Sequence, residues 1–220
     1  MYFLSYTLTT DTLGYGSQGQ ITVTKERSIE RGDSSESFNI TLSNHFGTHV
    51  DCPAHFFKQG LKVAELKADS WRFQSPQVID IKLQPGELMG VDAIKNKIRK
   101  STDLLLLKSS WSKIRGEKKY SVANPGIDSS VGRFLRSKYP KVRAIGFDWI
   151  SLSSYLNRPE GREAHRAFLD PNAKGHPILI IEDMDLRKAT NQLKQVFVFP
   201  LRVEGIDSAP CTILGEFSNG

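Results

Sequence analysis

Three histidines and an aspartate fall within eleven residues, His45-Phe46-Gly47-Thr48-His49-Val50-Asp51-Cys52-Pro53-Ala54-His55. Imidazole nitrogen and carboxylate oxygen are good ligands for zinc, and they also suit manganese or iron. All four candidates occupy odd positions. A straight strand would put them on one face but hold His45 and Asp51 roughly 20 Å apart, at about 3.3 Å per residue. One ion with bonds near ~2 Å cannot span that distance. The segment must therefore bend. Gly47 is suited to the bend because it accepts backbone angles that other residues resist. Pro53 then stiffens the chain between Asp51 and His55.

Three ligands and an open position make a catalytic site, because water or substrate needs the vacancy. His45, His49 and Asp51 supply the three. His55 then stays uncoordinated and moves protons, with an imidazole pKa close to working pH. The ion lowers the pKa of bound water and polarises a carbonyl. A lone histidine is ordinarily a satisfied strand or loop residue; three with an aspartate in so short a span are not. Cys52 would point away from His49 and Asp51 on an extended backbone, which makes it a packing residue. A metal-binding protein without catalysis is the competing reading, and an intact His55 argues against it.

The elements that must position this segment are mostly strands. Alternation and β-branched content mark Ile21 to Thr24 and Ser37 to Leu42. Gly60 to Asp69 reads as a loop entering a short helix. Gln77 to Ile81 is a strand closed by the turn Gln84-Pro85-Gly86-Glu87. Leu104 to Lys108, Val142 to Phe147 and Ile178 to Ile181 are apolar runs of the kind buried on both sheet faces. Val196 to Val203 and Thr212 to Phe217 close the chain as strands. Helices are expected over Val91 to Arg99, Asp128 to Tyr139 and Pro159 to Leu169. No repeat or linker interrupts the chain. An α/β single domain with a mixed sheet, spanning residues 1–220, follows.

Composition excludes several classes. The net charge of +6 and pI of 9.3 are compatible with an anionic partner. The densest basic cluster, Lys95, Lys97, Arg99 and Lys100, lies opposite Val91, Ile94 and Ile98 at helical spacing, so it reads as a wet helix face. No nucleic-acid motif accompanies it, and no nucleic-acid partner is expected. No apolar run approaches the ~18 residues of a membrane span, and the first residues lack a secretory leader. A soluble cytoplasmic protein is expected, with its two cysteines, Cys52 and Cys211, as free thiols. Gly14-x-Gly16-x-x-Gly19 matches the dinucleotide fingerprint in letters, but a strand rather than a helix follows it, so it reads as a hairpin or pocket loop. Trp71, Trp111 and Trp149 read as core, and Asp148 as a turn cap.

His-x-Gly-Thr-His-x-Asp-x-Pro-x-His resembles the signature of the cyclase-like metal-dependent hydrolases, which include bacterial kynurenine formamidase (arylformamidase) and isatin hydrolase. Ile145-Gly146-Phe147-Asp148 with Ser151 resembles that family's Gly-x-Asp-x-x-Ser strand. Ala164-His165 and Pro177 to Glu182 resemble its distal His and Glu, and Pro210-Cys211-Thr212 its closing strand. The resemblance implies a swivelling β/β/α domain, usually a homo-oligomer (dimer or tetramer), acting on a small-molecule substrate. It implies a first metal on His45, His49 and Asp51, and a second on Asp51, His165 and Glu182. His55 is then proton donor and acceptor. The resemblance implies one or two ions, Zn2+ or Mn2+. Asp170 to His176 reads as an insertion between His165 and Glu182, and makes His176 a rival ligand. The formamidases carry an aromatic-Pro-Gly turn near the N-terminus; here Leu13 to Gly19 stands in its place, with Tyr15 as the aromatic wall. The implied reaction is hydrolysis of an amide-type C–N bond in N-formylkynurenine or a related formyl aryl amide, with cyclic amides of the isatin type as the alternative.

Overall fold

The computed structural model describes residues 1–218; the last two residues of the expected 1–220 domain lie outside the described residues. The strands are β1 (Tyr2–Phe3), β2 (Thr22–Arg27), β3 (Ser37–Thr41), β4 (His49–Asp51), β5 (Arg72–Phe73), β6 (Pro76–Asp80), β7 (Leu88–Met89), β8 (Leu104–Lys108), β9 (Gly126–Ile127), β10 (Ala144–Phe147), β11 (Leu179–Glu182), β12 (Leu193–Pro200) and β13 (Ser208–Phe217). The helices are α1 (Lys118–Val122), α2 (Ser129–Lys138) and α3 (Arg158–Leu169).

The main sheet runs β5-β12-β13-β4-β11-β10-β8-β6, with β1 added against β13. Strands β6, β8, β10 and β11 are parallel; β4 pairs antiparallel with both β11 and β13 and joins them to the antiparallel half. β12 also packs against β6, so the mixed sheet curls nearly into a barrel. β2 and β3 form a separate, solvent-exposed hairpin.

The parallel strands are buried on both faces, as their apolar runs require. Leu105 and Leu107 of β8, Ile145 and Phe147 of β10 and Ile180 of β11 face the layer of α2 and α3. Leu104, Leu106, Ala144, Leu179 and Ile181 face the interior of the curled sheet, against Val196, Val198, Ala209 and Ile213. Each fully buried Leu or Ile stabilises the fold by about 1.5–3 kcal/mol relative to exposure. Helix α2 is opened by Asp128, whose carboxylate accepts the Ser130 N–H at 2.8 Å, and it ends just before Pro140. Helix α3 begins with Pro159 in its first turn, where a missing N–H costs nothing.

One expected element is corrected. Residues 91–99 do not form a helix: only a 3-10 turn at Val91–Ala93 is present, followed by turns. Ile94 and Ile98 are still buried, so the apolar stripe is satisfied without a helix. The backbone groups a helix would have used are taken by Gln77 of β6, whose side chain donates to Lys97 O at 2.7 Å and accepts from Arg99 N at 2.8 Å. Trp71, Trp111 and Trp149 are buried in the core, and Asp148 accepts from the N–H groups of Ser109 and Ser110 and the hydroxyls of Ser109 and Ser112. Cys52 and Cys211 are free and buried.

Candidate metal centre

The site forms where β4 meets β11, with α3 packed across them. Gly47 makes the bend before β4 with φ of +66°, and a Cβ there would lie 2.2 Å from Leu8 Cδ2. Both conformation and space therefore require glycine. The bend returns His45 toward Asp51 and leaves His49 and Asp51 on one face of β4, with Val50 on the other in the core. In the β11 register Glu182 stands opposite His49, so the last residue of one strand meets the first of the other. His165 comes from the buried face of α3. Gly161 one turn earlier allows this approach, because a Cβ there would meet Ser153 Oγ at 2.0 Å.

The five residues converge. His45 Nδ1 lies 3.0 Å from Asp51 Oδ1, and His49 Nε2 lies 3.6 Å from the same oxygen and 3.4 Å from Glu182 Oε2. His165 Nε2 is 3.7 Å from both Asp51 Oδ2 and Glu182 Oε1. His49 Nδ1 donates to the Gly47 carbonyl at 2.8 Å and His165 Nδ1 to the Gly161 carbonyl at 2.7 Å. Each bond commits Nδ1 as a donor, so Nε2 is the nitrogen that faces the carboxylates and the one that would offer a lone pair to an ion once its proton is displaced. Glu182 is itself anchored by the Leu152 N–H at 2.7 Å and the Ser151 hydroxyl at 3.3 Å.

His49 Nε2 and Asp51 Oδ1 are buried and have no aligned hydrogen-bond partner among the described residues. Buried polar atoms are rarely left so, and the omission has a physical explanation when a cation belongs between them. The donor set fits: imidazole nitrogens and carboxylate oxygens within reach of one another, with His45, His49 and Asp51 offering atoms all within 4.8 Å.

His55 sits on the 3-10 turn Pro53–His55 that follows β4. Its ring centroid is 4.2 Å from that of His45 and 5.6 Å from that of His165. The same wall carries Phe56, whose ring stacks on His165 at 4.9 Å. Together with Tyr15 and Ile150 these residues enclose a cavity of 220 Å³ over the carboxylates. That is below the ~300–1,000 Å³ usual for drug-sized ligands, so the cavity suits one small ring and its substituent. Tyr15 belongs to the Gly14–Gly19 loop, which is a pocket loop followed by β2 rather than a nucleotide turn.

His176 does not join the site: it donates to Val142 O at 2.9 Å, at the opposite end of β11 from Glu182. Asp207, just before β13, was not among the sequence candidates. Its Oδ2 accepts from His55 Nδ1 at 2.6 Å and lies 3.1 Å from His45 Nε2. Its backbone carbonyl pairs with Cys52 N, which carries it to the motif, and no signal in Glu204-Gly205-Ile206-Asp207 distinguishes it from an ordinary loop acid.

The charges determine a pH response. Burial works against charging His49 and His165, but hydrogen bonding and attraction from Glu182 and Asp51 outweigh it and push the two up to about 9 and about 10. Burial likewise opposes ionising Glu182, yet His165 and His49 bring it down to about 2. A histidine raised in the folded state stabilises fully below its unfolded value near ~6.5 and loses that contribution as pH rises through the folded value. The metal-free protein should therefore melt at progressively lower temperature from about pH 6.5 toward 10. Glu182 acts at the other end: its contribution is complete above its ordinary value and is lost as pH falls through about 2. A bound ion would displace the histidine protons, so its apparent affinity should rise over the same alkaline range. Thermal melts across pH in chelator check this; a melting temperature that climbs between pH ~7 and ~9 would contradict it.

The family described as "Putative cyclase" matches residues 2–154. A kynurenine formamidase from Bacillus cereus (strain ATCC 10987 / NRS 248) is 28% identical over 173 residues, 78% of this chain and 75% of that protein. Isatin hydrolase A from Labrenzia aggregata, solved bound to benzyl benzoate, superposes with a TM-score of 0.78 at 20% identity, covering 97% of this chain and 92% of that one. A structure from Bacillus stearothermophilus, described as a predicted metal-dependent hydrolase, gives a TM-score of 0.74 at 20% identity, with 97% and 96% of the two chains covered.

Proposed function

Since this chain belongs to the cyclase family, we propose that it is a metal-dependent hydrolase of a non-peptide, amide-type C–N bond, arylformamidase-like, with N-formylkynurenine or a related formyl aryl amide as substrate. The single observation that carries the reading is the buried, unpartnered pair His49 Nε2 and Asp51 Oδ1 at the floor of a ring-sized cavity. We assign His45, His49 and Asp51 to a first divalent ion, and Asp51, His165 and Glu182 to a second that shares Asp51. Zinc and manganese both suit this nitrogen and oxygen set. The bound ion supplies a Lewis acid and a water of lowered pKa.

The chain's own groups do the rest. Burial, with His45 and His165 nearby, holds His55 below its ordinary value against the pull of Asp51 and Asp207, so its imidazole is neutral at neutral pH. Nε2 is then free to take a proton from the attacking water as oxygen bonds to the formyl carbon. The C–N bond breaks, the same nitrogen returns the proton to the leaving amine, and formate departs. Phe56 and Ile150 give the aromatic ring an apolar slot and limit water. Tyr15 carries a buried hydroxyl without a partner, pushed up to about 12 chiefly by burial, so it stays a donor. Tyr15→Phe should raise KM several-fold, about 1 kcal/mol of lost substrate hydrogen bonding, with kcat little changed. Equal KM in steady-state kinetics would remove Tyr15 from substrate recognition.

The test is hydrolysis of N-formylkynurenine by purified protein, before and after chelation, with zinc or manganese restored. Turnover that dies with chelator and returns with one ion supports the reading. No turnover in any metal state would remove the formamidase assignment; isatin-type cyclic amides would be assayed next. We further propose a single domain over residues 1–220, cytoplasmic, acting as a homo-oligomer on a small-molecule substrate. No described helix is long and apolar enough to cross a membrane. Light scattering on the purified protein tests the oligomer.

A further inference from the structure

We infer that Asp207 is the positioning residue shared by the metal centre and the proton-transfer group: one carboxylate oxygen orients both His45 and His55. The inference rests on the roles proposed above for those two histidines. Asp207 Oδ2 lies 2.6 Å from His55 Nδ1 and 3.1 Å from His45 Nε2. An imidazole that commits one N–H to a carboxylate keeps its lone pair on the other nitrogen. For His45 that other nitrogen is Nδ1, the atom 3.0 Å from Asp51 Oδ1 and hence the ligating one. For His55 it is Nε2, the atom needed for proton transfer. Asp207 thus selects two tautomers with one oxygen, and its negative charge raises the basicity of both rings.

The carboxylate is itself held. Its other oxygen accepts from Asn44 Nδ2 at 2.9 Å, and its backbone carbonyl accepts from Cys52 N at 2.9 Å. Asn44 precedes His45 in the chain, and Cys52 follows Asp51. The clamp therefore connects both ends of the histidine motif to the start of β13. His45 and His55 are only part-buried, with about a quarter of each side chain exposed (29% and 26%). Unlike His49 and His165, neither has a backbone carbonyl among the described residues fixing its ring, and Asp207 supplies that constraint for both.

The experiment compares wild type, Asp207→Asn, His55→Ala and the double variant. Metal affinity is measured by chelator competition, metal content per chain by elemental analysis, and kcat and KM with N-formylkynurenine. Asn keeps the size of Asp207 but not its charge, and melting curves confirm folding. Loss of such an orienting partner typically costs about 10–100-fold in metal affinity or activity. Asp207→Asn should lose that much in affinity, through His45, and that much in kcat, through His55, with KM little changed. In the His55→Ala background it should cost no further kcat while the affinity loss persists. Unchanged affinity and kcat would overturn the inference, as would kcat losses that simply multiply in the double variant. One whole ion missing from Asp207→Asn at saturating metal would also overturn it, by making Asp207 a ligand in the trio it forms with His45 and His55. If wild type shows no metal-dependent turnover, the formamidase reading fails instead, and the affinity comparison alone decides the role of Asp207.

Discussion

His55→Ala is expected to retain a full complement of metal and lose about 10²–10⁴-fold in kcat, the usual contribution of a positioned acid–base group. The two halves of this result come from different geometry. His55 ring nitrogen Nδ1 is committed to Asp207 at 2.6 Å, so in the proposed assignment the residue is held against the motif without serving as a ligand. His45, His49, Asp51, His165 and Glu182 converge without it. Its ring, however, packs between those of His45 and His165 at the cavity wall, within reach of a substrate placed in the cavity as proposed. Elemental analysis and single-turnover kinetics on the same sample separate the two. A variant that loses its metal would make His55 a ligand; one that keeps wild-type turnover would leave the reaction without its proton carrier.

Asp51→Asn should have the opposite signature: no ion survives gel filtration, and activity falls to background. Asp51 is 1% exposed and three imidazoles face it, from His45, His49 and His165. Those histidines hold its carboxyl well below the usual carboxylate range, even though burial opposes ionisation. An amide in its place lacks the charge that would compensate the ions assigned to it under the proposed function. Breaking a buried charge cluster by removing one partner costs about 3–5 kcal/mol, so the metal-free variant should also melt well below metal-free wild type. Stoichiometric metal in Asp51→Asn, measured at pH 7 to 8, would refute the bridging assignment.

Different parts of this design were legible in the sequence for different reasons. The motif from His45 to His55 is local, and its requirement for a bend at Gly47 follows from strand geometry alone; φ at Gly47 and the close approach of Leu8 agree. Continuous apolar runs such as Leu104 to Leu107 announced strands buried on both faces, and all four leucines are fully buried. Periodicity located α3, but that His165 faces Asp51 came only through family resemblance, since no spacing rule connects a helix to a strand so far away in the chain. The segment 91–99 misled because burial at i, i+3 and i+7 looks the same whether a helix or a series of turns delivers it. Gln77, on a different element, decided between them. Asp207 was illegible for the same reason: its hydrogen bond to His55 crosses 152 residues, and nothing local marks the acid that will make it.

The place of β4 in the sheet has a kinetic consequence. Three residues near the start of the chain pair on one side with β11 and on the other with β13, both near its end. Contacts that close such long loops form slowly, because the entropy of closure is spent before the pairing is made. During synthesis the histidine motif leaves the ribosome long before either neighbouring strand exists. Through that interval neither Glu182 nor Asp207 is beside it. A bound ion and these strand pairings would therefore be secured together, late in folding, so that metal occupancy would report the pairing of β4 with β11 and β13 as well as readiness for chemistry.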